Sequence, residues 1–201
     1  FLRKILLYKH AHSIHVTLPP IAKMTKNKFS IELLETHWIS EEDSQTDLCA
    51  HGQMRVIIGK ETVVDQSEDD GWTISATAQF LLRTLERNHT KENSVGDQLI
   101  PCCGHFLVFD NEMDEVYIGG CSNGIDWEVI HKNGIVTLKT EKGTETKIDF
   151  THYKNQVLKF VDKVEQFYKD SIEKEIPKDD FDRKGYLQFW KEWNEKRSKW
   201  K

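Results

Sequence analysis

Leu99–Phe109 is apolar on both of the faces a β-strand presents, and no other stretch constrains the fold as much. Counting by twos, one face carries Leu99, Pro101, Cys103, His105, Leu107 and Phe109; the other carries Ile100, Cys102, Gly104, Phe106 and Val108. A strand apolar on both sides is normally central in its sheet and covered above and below. Pro101 has no N–H to give to a ladder, so the strand proper is expected to start after it. Asp110–Asp114 then turns the chain, and Glu115–Ile118 returns as a hairpin partner. Gly119–Gly124 (GGCSNG) reads as a loop whose glycines supply unusual backbone angles. Asp126–Lys132 and Ile135–Thr140 flank Asn133-Gly134, the strongest short hairpin signal in the chain. A second turn at Lys142-Gly143 leads to Thr144–Phe150. The whole reads as an antiparallel meander of about five strands with hairpin-length connections.

Before the meander, Phe29–Ile39 fits a strand and a short helix equally well, while Met54–Ile58 and Glu61–Val64 read as short strands around Gly59-Lys60. A helix capped by Ser75 or Thr77 should carry Ala78, Leu81, Leu82 and Leu85 at spacings of three and four and end near Asn88. His89–Gly96 is polar and loop-like. After the meander, Asp149 or Thr151 caps a helix striped by Tyr153, Val157, Phe160, Val161, Val164, Phe167 and Tyr168. Pro177 breaks the chain, and Asp179 or Asp180 opens a last helix bearing Phe181, Tyr186, Phe189, Trp190 and Trp193. The basic tail of that helix (Lys196, Arg197, Lys199, Lys201) suits the negative end of its dipole. The expected class is therefore α+β: an antiparallel meander sheet of about five or more strands, one internal helix and two C-terminal helices packed on it.

At 201 residues the chain can bury one sizeable core. Phe1–Lys23 differs from the rest: it holds Arg3, Lys4, Lys9, Lys23 and three histidines but no acid, and Met24 follows. Its apolar run Ile5–Tyr8 is too short for a signal peptide, so residues 1–23 read as an upstream or cloning-derived leader and 24–201 as a single α+β domain. Of the 28 Lys and Arg, 24 lie in that body against 33 Asp and Glu, a net charge of −9 where the whole chain carries −5. Such acidity repels phosphate backbones, disfavouring nucleic acid, and favours a basic protein partner. No apolar run approaches the roughly 20 residues of a membrane helix. Four irregularly spaced cysteines point to a reducing cytoplasm rather than to a disulfide framework.

The chemistry-bearing constellations reduce to simpler readings. Cys102, Cys103, His105, Cys121 and His131 have the residue types of a zinc site without its C-x2-C spacing, so no metal and no cofactor is expected. A thiol nucleophile at Cys121 with His105 or His131 as base, oriented by Asp126, is the sharpest enzymatic alternative. GGCSNG lacks the Lys-Ser/Thr of a phosphate loop and precedes a strand. The paired carboxylates sit in solvated runs (Glu41–Asp43, Glu68–Asp70), and no catalytic set assembles from them. Asp126-Trp127-Glu128 has the make-up of a polar rim around an aromatic anchor.

Gly96–Asp110, Gly120–His131 and Phe181–Trp193 resemble a family of small uncharacterised bacterial proteins, over roughly Met24 to Lys196. Small acidic α+β proteins of this kind are similar to the immunity proteins that neutralise secreted bacterial toxins. The resemblance implies a cytoplasmic binding protein whose acidic surface occludes a basic toxin, and it carries over no active-site residue. The contact residues expected on that reading are Asp69, Asp70, Trp72, Asp110, Glu112, Asp114 and Trp127. Besides the thiol enzyme, the remaining alternative is a small-ligand-binding domain with an apolar pocket between the sheet and the C-terminal helices.

Overall fold

The computed structural model describes residues 28–40, 42–65, 71–102 and 106–200. Expectations placed on residues 1–23, Asp69, Asp70, Cys103 and His105 lie outside these residues. Strand β1 (Phe29–Trp38) pairs antiparallel with β2 (Ala50–Ile58), with a bulge between Leu33 and Glu35. Between strand and helix, the alternation wins for β1: Phe29, Ile31 and Leu33 turn inward while Glu32 and Leu34 face out. Strand β3 (Glu61–Asp65) and the two-residue β4 (Trp72–Thr73) both pair with β2.

Helix α1 (Ile74–Thr84) follows directly, and all of its residues are buried. It starts before either expected cap. Ser75 Oγ instead approaches Cys49 Sγ, and Thr77 Oγ1 donates back to the Thr73 carbonyl. Its polar side chains are mostly satisfied inside the core, as with Thr84 Oγ1, which meets Tyr153 Oη at 2.7 Å.

Three helices with antiparallel sheets make the fold α+β, but the expected single meander is divided. Strand β5 (Phe106–Val108) pairs with β6 (Tyr117–Gly119) in a two-stranded ladder, while β7 (Trp127–Lys132), β8 (Ile135–Thr140) and β9 (Glu145–Asp149) form a sheet of their own. The division has a cause. The edge of β7 that would have received β6 is taken by the 89–100 segment, through antiparallel bridges from His89 to Val129 and from Ile100 to Ile125. His89–Gly96 is thus part of the framework rather than a loose loop. The buried His89 accepts the Val95 N–H at Nδ1, and its Nε2–H donates to the Asp126 carboxylate at 2.9 Å. Asp126 also accepts the Leu99 N–H.

Asn133 and Gly134 both have positive φ, as their hairpin requires, and so does Gly143 in the following turn. The glycines of GGCSNG do not. At Gly119 the Phe106 ring lies over the position a Cβ would take, and at Gly124 the Ile100 carbonyl and Gln98 leave no room for one.

Helix α2 (Phe150–Asp170) is capped by Asp149, which accepts from Thr151 N, and buries Tyr153, Val157, Phe160, Val161 and Val164 as the stripe predicts. Helix α3 (Asp180–Trp200) is opened by Asp179, which accepts from the Phe181 and Asp182 amides. It buries Tyr186, Phe189 and Trp193. Its basic tail does more than suit the dipole. Arg197 pairs with Glu165 and Asp162 of α2, and Lys196 bridges to Glu86 and Glu115. No helix among the described residues is long and apolar enough to cross a membrane.

Candidate protein-binding face

The β5–β6 hairpin has two faces. In its register Phe106 opposes Gly119, Leu107 opposes Ile118 and Val108 opposes Tyr117. Leu107 and Ile118 turn inward onto the core. Phe106, Val108 and Tyr117 turn outward, and Phe106 and Tyr117 are left 57% and 50% exposed. The strand is apolar on both sides, yet only one side is covered. The two rings pack edge to face at 6.4 Å between centroids. Met113, in the turn between the strands, is 55% exposed.

This face is rigidly backed. Arg83 of α1 donates through Nη1 to the Val95 carbonyl at 2.8 Å and through Nη2 to the Val116 carbonyl at 2.6 Å. The same guanidinium pairs with Glu192 of α3 at 2.7 and 2.8 Å, and Glu192 accepts the Val116 N–H at 3.0 Å. Both backbone polar groups of the residue preceding β6 are thereby held by one buried ion pair. Beside it, Arg87 forks onto Glu115 at 2.7 and 2.6 Å. Burial pushes the Glu115 carboxyl up, but Arg87, Arg83 and Lys196 outweigh it and hold the group below the usual carboxylate range. On the far side, α3 meets β5 so closely that a Cβ on Gly185 would lie 2.1 Å from the Leu107 carbonyl oxygen.

Acids edge the face. Asp110 accepts the Glu112 N–H within the turn, Asp114 is fully open to solvent, and the Tyr117 hydroxyl reaches Asp97 at 3.4 Å. Asp97, Asp110, Glu112 and Glu115 line a cleft of about 660 Å³ with Arg83, Arg87 and Tyr117. A second cavity of about 470 Å³ lies on the other flank, between Phe106 and Leu107 and the link from α2 to α3. That link is anchored by Lys174, which pairs with Asp43 and sits 3.5 Å over the Trp38 ring. Desolvation pushes the Cys49 thiol in its wall up to about 12, so the thiol lines the cavity as a neutral group.

Of the contact residues expected from sequence, Asp110, Glu112 and Asp114 come together on the hairpin turn. Trp127 does not join them. It is 1% exposed in the core, because the inward positions of β7 are Trp127 and Val129, and the neighbouring Asp126 serves His89 and Leu99. Trp72 is half-buried and packs against the core. Asp69 and Asp70 lie outside the described residues. Asp43 and Asp47 of the 40–47 loop are used structurally: Asp43 binds Lys174 and the Ile172 amide, and Asp47 accepts from Ser40 and Cys49. Phe106, Met113 and Tyr117 were not among the expected contacts, although the doubly apolar Leu99–Phe109 held a signal for Phe106.

Chemically the face offers apolar contact, a phenol and carboxylates, a set suited to non-covalent recognition. The thiol alternative rests on Cys121, half-buried after β6, and on His131. His131 donates from Nε2 to the Thr84 carbonyl at 2.7 Å, and its ring packs against Phe150 and Tyr153. In His89 neither ring nitrogen is open to serve as a base, since one accepts from an amide and the other donates to Asp126. No three His, Cys, Asp or Glu among the described residues converge as for a metal ion. No family model, curated protein or solved structure gives a significant match to the chain.

Proposed function

We propose that the chain is a binding protein of immunity type, bacterial and cytoplasmic, that occludes a basic protein partner with the outer face of the β5–β6 hairpin. One observation carries the reading: Phe106 and Tyr117 stand half-exposed on a hairpin held from behind, beside a cleft lined by Asp97, Asp110 and Glu112. Exposed aromatics inside a polar rim have the composition of an interface hot spot. The body charge of −9 supports a cationic partner and speaks against phosphate backbones. It also speaks against a second copy of the chain on this face, since two acidic rims would meet.

The test is a defined pair. A basic protein retained from the secreted fraction of the source organism is purified and titrated calorimetrically against the wild-type chain and against Phe106→Ala/Tyr117→Ala. The expected result is one-to-one binding, weakened by salt and at least 30-fold weaker for the variant, on the order of the 2 kcal/mol that marks a hot spot. Because both rings are half exposed, the variant should melt close to wild type. Equal affinity in the two chains would move the interface elsewhere on the molecule.

A further inference from the structure

The hairpin is a ridge between two cavities of different chemistry. On the Phe106–Leu107 flank, an open cavity of about 470 Å³ has an apolar wall of Leu48, Ile176, Pro177 and Tyr186 together with Glu175, Lys178 and Asp182, and it falls within the size range of side-chain and small-ligand pockets. On the Val108–Tyr117 flank, the cleft of about 660 Å³ carries four carboxylates against two guanidiniums. Both guanidiniums are already paired, Arg83 with Glu192 and Arg87 with Glu115, which leaves Asp97, Asp110 and Glu112 as its uncompensated charge. The Phe106 and Tyr117 rings mark the border between the two cavities, 6.4 Å apart. In an extended chain, side chains on one side recur at roughly 6.6 Å, two residues of about 3.3 Å each. Two side chains that each rest on one of these rings would therefore stand about one two-residue step apart.

We propose that this face reads an extended segment in which a bulky apolar residue stands two positions from a Lys or Arg. The apolar side chain enters the cavity beside Phe106. The cation lies along the Tyr117 ring, toward Asp97 and Asp110, where ring and carboxylates both attract it. The residue between them points to solvent and is not selected. The inference rests on the binding reading above and gives its partner a chemistry: a basic, extended segment with one apolar anchor.

The experiment is selection of random dodecapeptides displayed on phage by the whole chain at low ionic strength. Parallel selections use Phe106→Ala/Tyr117→Ala and Asp97→Asn/Asp110→Asn. The expected winners place Leu, Ile, Met or Phe two positions from Lys or Arg, and a synthetic winner loses at least tenfold in affinity when either residue becomes Ser. Against Asp97→Asn/Asp110→Asn, the loss on replacing the basic residue should shrink to under threefold, while the apolar requirement stays. Basic winners without the two-residue spacing, and lost on Phe106→Ala/Tyr117→Ala, would overturn the spacing and leave the binding face standing. If winners lack basic residues, bind all three chains alike or do not emerge, the spacing and the face both fall.

Discussion

Gly185 and Glu192 lie two turns apart on α3 and hold the same hairpin by opposite means, one by having no side chain and the other by having a charged one. Gly185→Ala puts a methyl group against the Leu107 carbonyl, a backbone atom that cannot rotate away. Helix and strand must then part. The expected cost is about 1–3 kcal/mol, as for overpacking, read as a lower urea midpoint. Glu192→Ala leaves the buried Arg83 guanidinium with only the more distant Glu115, at 3.6 Å and already bound by Arg87, and the Val116 N–H without its acceptor. Breaking a buried pair from one side costs about 3–5 kcal/mol, so this chain should be the less stable of the two. A urea midpoint for Glu192→Ala at or above that of Gly185→Ala would mean that the ion pair contributes little beyond its packing. Neither role was readable in the sequence. A glycine inside a helix with aromatic neighbours signals only weaker propensity, and a glutamate four residues before a lysine reads as an exposed pair.

Among the elements, legibility followed how local the determining interactions are. The α2 stripe, the Asp149 and Asp179 caps and the Asn133-Gly134 turn depend on residues within a few positions of one another, and each stands where the pattern places it. The extent of the meander depended on which segment takes the outer edge of β7, a competition between β6 and the 89–100 segment. That segment wins because His89 is clamped to Asp126 and to the Val95 amide, a tertiary arrangement with no short-range signature. Trp127 shows the same limit. Asp-Trp-Glu has the composition of an interface, but strand parity puts the indole inside. Of the strand expected over Leu99–Phe109, the described residues form only Phe106–Val108, in a two-stranded ladder rather than at the centre of a sheet. The assumption that both faces must be covered within the chain hid Phe106 and Tyr117 as the outward-facing pair.

For the whole molecule, the carboxylates that tie α2, the β5–β6 hairpin and the residues after α1 to α3 set the response to acid. Burial raises Glu86, Glu115 and Glu165, but their basic partners (Lys196 and Lys199, then Arg87, then Arg197) prevail, and all three lie below their ordinary value. A carboxyl depressed on folding contributes stability that is complete above its unfolded pKa and is lost as pH falls through the lower folded value. The midpoint of urea unfolding should therefore be level near neutrality and fall below about pH 4.5, the ordinary Glu value. Glu115→Gln should flatten that fall while lowering the plateau. An unchanged acid limb in this variant would assign the sensitivity to other groups.

The clamp on Val116 also bears on how a newly made chain acquires the outer face of its β5–β6 hairpin. Synthesis delivers Phe106 and Tyr117 well before Glu192, and the carboxylate that fixes the hairpin backbone belongs to the last described helix. While the chain is still growing, the two aromatic residues are present without the support that sets their spacing, and Arg83 has no Glu192 to meet. The outer face of the hairpin thus takes its shape late, once α3 docks, and the nascent chain displays these apolar side chains before that surface is formed.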